Sequence, residues 1–210
     1  MKRLFDIFCS LMGIVLILPV MAVIAAIILA EDGFPVLYRG IRVGRYGKVF
    51  RIYKFRTMVR NAESLGGSST ADDDSRITGV GKSLRKYKMD EMPQLINVLK
   101  GEMSFVGPRP EISKYVDQYS EAEKRILTVR PGITDWASIW NADEGSLLAG
   151  AEDPDRVYEE MIRPTKLKLQ LKYVEERSFF TDIKIIFLTL LAIIQPESRA
   201  LRKWKSSGTS

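Results

Sequence analysis

The sequence predicts a helix-dominated α+β fold, with one membrane helix at the N-terminus and a compact domain behind it that carries a small β-hairpin and interfacial amphipathic helices. Three observations point there. Residues 7–30 form an uninterrupted apolar run. Residues 36–58 hold β-branched and aromatic clusters on either side of Gly44 and Gly47. From residue 79 onward, helix-compatible stretches alternate with Pro and Gly stop signals.

The chain has 210 residues, enough for one domain with an appendage and a buried core of its own. Lys and Arg number 32 against 26 Asp and Glu, a net charge of +6 that favours anionic partners such as phosphorylated substrates or acidic lipid. Histidine is absent, so a Ser/His/Asp triad and imidazole metal ligation are excluded and acid-base or nucleophilic work falls to carboxylates, Lys, Tyr, Ser or Thr. Cys9 is the sole cysteine, which leaves no disulfide framework and no CxxC site.

The apolar run is IFCSLMGIVLILPVMAVIAAIILA, long enough as a helix to cross a hydrocarbon layer of ~30 Å. It is too long for the core of a signal peptide and lacks a clear cleavage site ahead of Glu31. Pro19 falls at its middle, where the missing N–H and the bulk of the ring kink a helix. Lys2 and Arg3 precede the run, and Arg39, Arg42, Arg45 and Lys48 follow it. Positive charge stays on the cytoplasmic side, so a basic excess at both flanks favours a re-entrant helix with both ends on one face; a kinked single span is the alternative.

Next come the hairpin over 36–58 and a polar loop, NAESLGGSSTADDDSR, over 61–76. Its acids Asp72 to Asp74 read as a solvated turn or cap rather than a metal site. Helices are predicted over 79–88, from Pro93 to Lys100 with Gly101 as the stop, over 113–127 and over 155–175. The stretch DIKIIFLTLLAII, 182–194, is too short to span and belongs either to the core or to the membrane interface. Residues 199–210, with Arg202, Lys203, Trp204 and Lys205, read as a flexible basic tail.

GVGKS at 79–83 is not a phosphate-binding P-loop, because the glycine required five places before Gly81 is Arg76. LRKYKMDEMPQLINVLKGEMSFVGPRP, 84–110, is more informative: two adjacent carboxylates, Asp90 and Glu91, stand just ahead of a proline-initiated helix. The helix dipole and its free amides would keep Asp90 ionised, and an ionised carboxylate can act as a nucleophile or simply cap the helix. Neighbouring residues on a helix point ~100° apart, so the two acids are not assigned one shared role.

KRLFDI at 2–7 with its apolar run and central proline, KFRTM at 54–58, DEMPQLINVLKGEMSFVGPRP at 90–110 and RPGIT at 130–134 together resemble the bacterial sugar transferase family, the monotopic phosphoglycosyl transferases that prime glycan assembly on polyprenol phosphate. The resemblance implies a re-entrant membrane helix over 1–30, a catalytic domain over 31–198 on the cytoplasmic face of the bacterial inner membrane, and the basic tail. It implies Asp90 as nucleophile and Glu91 as Mg²⁺ ligand. Donor and acceptor would be a UDP-sugar and polyprenol (undecaprenyl) phosphate, and the products UMP and a polyprenyl-diphosphate sugar, the first membrane step towards an exopolysaccharide, O-antigen or glycoprotein. Kinetics would be ping-pong through an aspartyl phosphosugar. Lys54, Arg85 and Arg109, which fall within the matching run from Lys54 to Gly132, are candidates for holding the phosphates, since guanidinium forks grip such oxygens two at a time.

Beyond RPGIT the chain departs from the resemblance: DWASIWNADEG, 135–145, stands where many members carry a Gly-Leu-Ala-Gln-Val-Asn-Gly-Arg-like stretch. Donor sugar therefore does not carry over. Trp136 and Trp140, spaced i, i+4, could stack on uracil, lie at the interface or pack in the core. Two rival readings are a membrane-anchored metal-dependent phosphohydrolase and a non-catalytic basic protein that binds acidic lipid or nucleic acid through residues 39–60. The favoured reading has membrane lipid and no nucleic acid among the partners, and it leaves a homodimer open.

Overall fold

The computed structural model describes residues 1–142 and 144–194; the predicted tail over 199–210 lies outside them. Helix α1 runs unbroken from Lys2 to Asp32 and carries Pro19 inside it. Its middle is bare, with Val15 63%, Leu16 70% and Val23 59% exposed, while its buried positions, Asp6, Ser10, Ile24 and Ile28, cluster towards the two ends. Both ends are tied to the same domain. At the start, Lys2 Nζ donates to Asp182 Oδ2 at 2.5 Å and to the Val106 carbonyl, and Asp6 Oδ1 accepts from Ser104 Oγ and the Phe105 amide. At the far end, Glu31 accepts from the Val80 amide and Asp32 pairs with Arg56 at 2.9 Å.

The predicted hairpin forms in two steps. Strand β1 (Leu37–Tyr38) pairs antiparallel with β4 (Lys54–Phe55), and inside them β2 (Ile41–Val43) pairs with β3 (Val49–Arg51). The connecting turn needs left-handed backbone at Tyr46 (φ 59°) and Gly47 (φ 74°), and Gly47 provides its share without steric cost. In the polar loop a single short turn, α2 (Ala62–Leu65), precedes α3 (Gly79–Lys86). Thr78 caps α3 by accepting from the Gly81 amide. A Cβ on Gly81 would stand 2.1 Å from the Thr57 carbonyl oxygen, so the glycine of GVGKS is there for close backbone packing.

Helix α3 stops two residues short of the predicted 88, because Lys88 turns into the left-handed region (φ 55°) and a 3₁₀ turn, Met89–Glu91, follows. Helix α4 (Gln94–Lys100) ends at Gly101 (φ 84°) as predicted. The Arg3 guanidinium donates to two carbonyls at that end, Val98 and Leu99, so the start of α1 caps the end of α4. Strand β5 (Ser104–Val106) follows at once.

The predicted helix over 113–127 is a correction. It breaks into α5 (Ser113–Val116) and a 3₁₀ segment, Glu123–Thr128. Ser120 amide and hydroxyl both donate to the Glu123 carboxylate, which starts a new turn instead of continuing the old one. Strand β6 (Gly132–Thr134) then lies parallel to β5, with Ser104 opposite Gly132 and Val106 opposite Thr134. A Cβ on Gly132 would sit 2.1 Å from the Gly107 amide nitrogen, so two glycines let the backbones of the two motifs touch.

Three short helices, α6 (Trp136–Trp140), α7 (Glu144–Leu148) and α8 (Pro154–Val157), lead to α9 (Arg163–Glu176). The path over 155–175 is helical as predicted, but Tyr158–Ile162 widens to a π turn immediately before Pro164, whose ring has no N–H to give and crowds the preceding turn. The last helix, α10 (Phe179–Ile194), starts three residues earlier than predicted. One side buries Ile185 and Leu188 against Val106, Trp136, Ile139, Leu169 and Tyr173, and the other leaves Phe180 and Phe187 exposed. Trp136 is thus core, with the Lys184 ammonium over its ring, and neither of its other two readings holds.

Candidate active site

Three stretches of backbone bring the site together. The β4 strand delivers Lys54, the 3₁₀ turn ahead of α4 delivers Asp90 and Glu91, and the loop after β5 delivers Arg109 between Pro108 and Pro110. Glu91 is the hub. Its carboxylate takes Lys54 Nζ at 2.8 Å and a two-pronged contact from Arg109, one prong at 3.1 Å through Nη1 and a shorter one through Nη2. Lys54 also faces Asp90 Oδ2 at 3.8 Å. Arg85, on α3, donates from Nε to Thr57 Oγ1 at 2.9 Å, and its charge acts on Asp90. All five residues proposed from sequence border one cleft of about 2540 Å³, ample for a nucleotide sugar.

Electrostatics separates the two acids. Burial works to raise the pKa of Glu91, yet Arg109 and Lys54 outweigh it and hold the carboxylate well below its usual range. Glu91 in turn keeps the Arg109 guanidinium firmly charged. Asp90 goes the other way: burial pushes its carboxyl up and Glu91 adds to the rise, with Lys54, Arg85 and Arg109 pulling against them. The source of support expected for a charged Asp90, the start of a helix, is corrected. Asp90 lies in the 3₁₀ turn, and neither that turn nor α4 has a side-chain cap. Cationic side chains, not amides, support its charge. The capping reading falls for the same reason.

No group of three or more acidic or thiol side chains among the described residues is arranged to hold a metal by itself. Mg²⁺ does not require one, because it is commonly held by one or two carboxylates and completes its shell with water and phosphate oxygens. Glu91, facing the cleft, fits that pattern provided Arg109 or Lys54 releases one of its oxygens. The loop acids Asp72 to Asp74 do other work: Asp74 clasps the Arg76 guanidinium and Asp73 accepts from the Gly150 amide, which pins the 61–76 loop to the segment after α7.

The sequence matches the family described as Bacterial sugar transferase over residues 1–196. The chain belongs to the bacterial sugar transferase family. Among similar members, a protein of Aeromonas hydrophila named UDP-N-acetylgalactosamine-undecaprenyl-phosphate N-acetylgalactosaminephosphotransferase is 37% identical over 196 residues, 92% of this chain and 43% of that one. An uncharacterized sugar transferase, EpsL, of Bacillus subtilis is 36% identical, with 94% of this chain and 89% of that one covered. The undecaprenyl-phosphate galactose phosphotransferase of Salmonella typhimurium is 35% identical, with 93% and 40% covered. The chain thus spans less than half the length of two of these relatives and most of the third.

Sequence reasoning missed part of the cleft wall. Lys166, on α9 and 8% exposed, pairs with Glu111 Oε1 at 2.5 Å and donates to Tyr158 Oη at 2.9 Å, and Tyr158 donates to the same Glu111 oxygen. No motif marks these residues; they converge only through the tertiary fold. Thr57, which holds Arg85, was within reach as part of KFRTM.

Proposed function

We propose that this chain transfers a sugar phosphate from a UDP-sugar to undecaprenyl phosphate, releasing UMP, in the first membrane step of building a bacterial surface polysaccharide. The observation that carries the reading is the pairing of a buried, unclasped carboxylate, Asp90, with a clasped one, Glu91, inside a cleft ringed by Lys54, Arg85 and Arg109. Names of related proteins supply donor and acceptor classes.

In the first half-reaction a carboxylate oxygen of Asp90 attacks the β-phosphorus of the donor. The bond from that phosphorus to the bridging oxygen breaks, and UMP leaves with the electron pair. The aspartyl phosphosugar is an acyl phosphate, and in the second half-reaction a phosphate oxygen of the lipid attacks the same phosphorus and frees the carboxylate. Arg109 and Arg85 bind donor phosphate oxygens, and Lys54 keeps the nucleophile charged as the anionic donor approaches. Mg²⁺ on Glu91, when bound, supplies further positive charge for the diphosphate.

The test is UMP release across a panel of UDP-sugars with undecaprenyl phosphate present or withheld. A stoichiometric burst without lipid, followed by turnover when lipid is added, is the expected result. Steady release without lipid would instead identify a hydrolase. Protonated Asp90 cannot attack, and its pKa lies above that of an ordinary carboxyl, so the acid limb of kcat/KM is expected at a higher pH than a free aspartate would give. Lys54→Gln, which removes the strongest pull in the other direction, moves that limb higher still. A limb that stays in place would detach Asp90 from the rate.

The bare apolar middle of α1 and the exposed aromatic side of α10 form the lipid-facing surface of this reading. The contacts of both ends of α1 with one domain support a helix that enters and leaves the cytoplasmic face of the inner membrane without crossing it. In a Cys9→Ala background, single cysteines at Lys2 and Glu31 should both react with an impermeant thiol reagent applied from the cytoplasmic side. Protection of either from that side would mean a full span.

A further inference from the structure

The segment that departs from the family resemblance begins with Asp135, and its carboxylate does two jobs. Oδ1 accepts from the Ser138 amide and hydroxyl, both at 2.7 Å, which caps α6. Oδ2 accepts from the Arg109 backbone amide at 3.2 Å and from Gln170 Nε2 at 3.2 Å. Gln170 Nε2 also donates to the Arg109 carbonyl, at 3.4 Å. Both side chains are fully buried.

Arg109 stands between two prolines, so its own N–H is the only backbone donor in Pro108-Arg109-Pro110. The one donor and the adjacent acceptor of that tripeptide are both held by these two side chains, from β6–α6 and from α9. A helix cap alone would need one carboxylate oxygen and no glutamine. From this juxtaposition we propose that Asp135 and Gln170 are positioning residues: they fix the backbone of Arg109 so that its guanidinium meets Glu91 and the donor diphosphate at the correct angle. The inference rests on the function proposed above, in which Arg109 binds donor phosphate.

A double-mutant cycle on the full chain in detergent, with UDP as the probe and affinity read by calorimetry, separates positioning from mere support. Asp135→Asn keeps the shape and one acceptor but must present an amide N–H to one set of donors. It should weaken UDP binding by about 10- to 100-fold in the parent chain, the cost of a misaimed clamp, and by less than about twofold once Arg109 is already alanine. Equal weakening in both backgrounds, or none in the parent, overturns the proposal. Arg109→Ala measured alone tests the underlying reading: if it binds UDP like the parent, that reading fails whatever Asp135 does. Should Asp135→Asn not fold, as judged by its unfolding midpoint, Gln170→Leu replaces it, since it frees the Arg109 carbonyl without touching the α6 cap, and the same outcomes apply.

Discussion

Asp90→Asn is expected to lower turnover by more than about 10⁴-fold, the scale on which enzymes lose activity with their nucleophile. It should also abolish labelling of the chain by donor carrying a radioactive β-phosphate. The variant should fold at least as well as the parent. Burial raises the pKa of Asp90 above its value in the unfolded chain, so ionising it costs the folded state stability as pH rises through that range. A neutral isostere removes that cost. Loss of activity with an unchanged or higher unfolding midpoint at neutral pH is therefore the signature of a nucleophile. Retained labelling, or a collapse in stability, would assign Asp90 a different role.

The second large effect is expected at Arg109. Glu91 is largely covered, with a side chain 13% exposed, and is held by Arg109 and Lys54. Arg109→Ala leaves that carboxylate with one cation and is expected to cost about 1–3 kcal/mol, less than the loss from a fully buried pair because the Arg109 side chain is 31% exposed. Activity should fall by about 10³-fold, because the same guanidinium meets charge on the donor. The double variant Glu91→Gln with Arg109→Ala should recover much of the stability and none of the activity. Parallel recovery of both, followed by chemical denaturation and UMP release, would show that the two residues only hold the fold together.

What the sequence made legible follows from local chemistry. The apolar run of α1, the glycine turn of the hairpin and the Gly101 stop of α4 depend on neighbours within a few residues, and the structure has all three. Lys54, Arg85, Asp90, Glu91 and Arg109 were nameable as a group because their motifs resemble a family, and the fold does bring them to one cleft. Other features depended on distant contacts. Ser120 and Glu123 closing on each other split a helix that pattern alone would have continued. The ionisation of Asp90 could not be read locally either, since it depends on Lys54, 36 positions away in sequence, and on burial by the rest of the chain. The Lys166, Glu111 and Tyr158 cluster is invisible for the same reason: its members are scattered from 111 to 166 and none sits in a recognisable pattern.

The tie between Lys2 and Asp182 joins residues 180 positions apart, and Phe5 stacks edge-on against Phe179 close by. A ribosome adds about 5–20 residues per second, so roughly 10–40 s separate the emergence of the two partners. During that interval the start of α1 lacks its partners on the last helix, so the contacts that join Lys2 to Asp182 and Phe5 to Phe179 form only once α10 has been made.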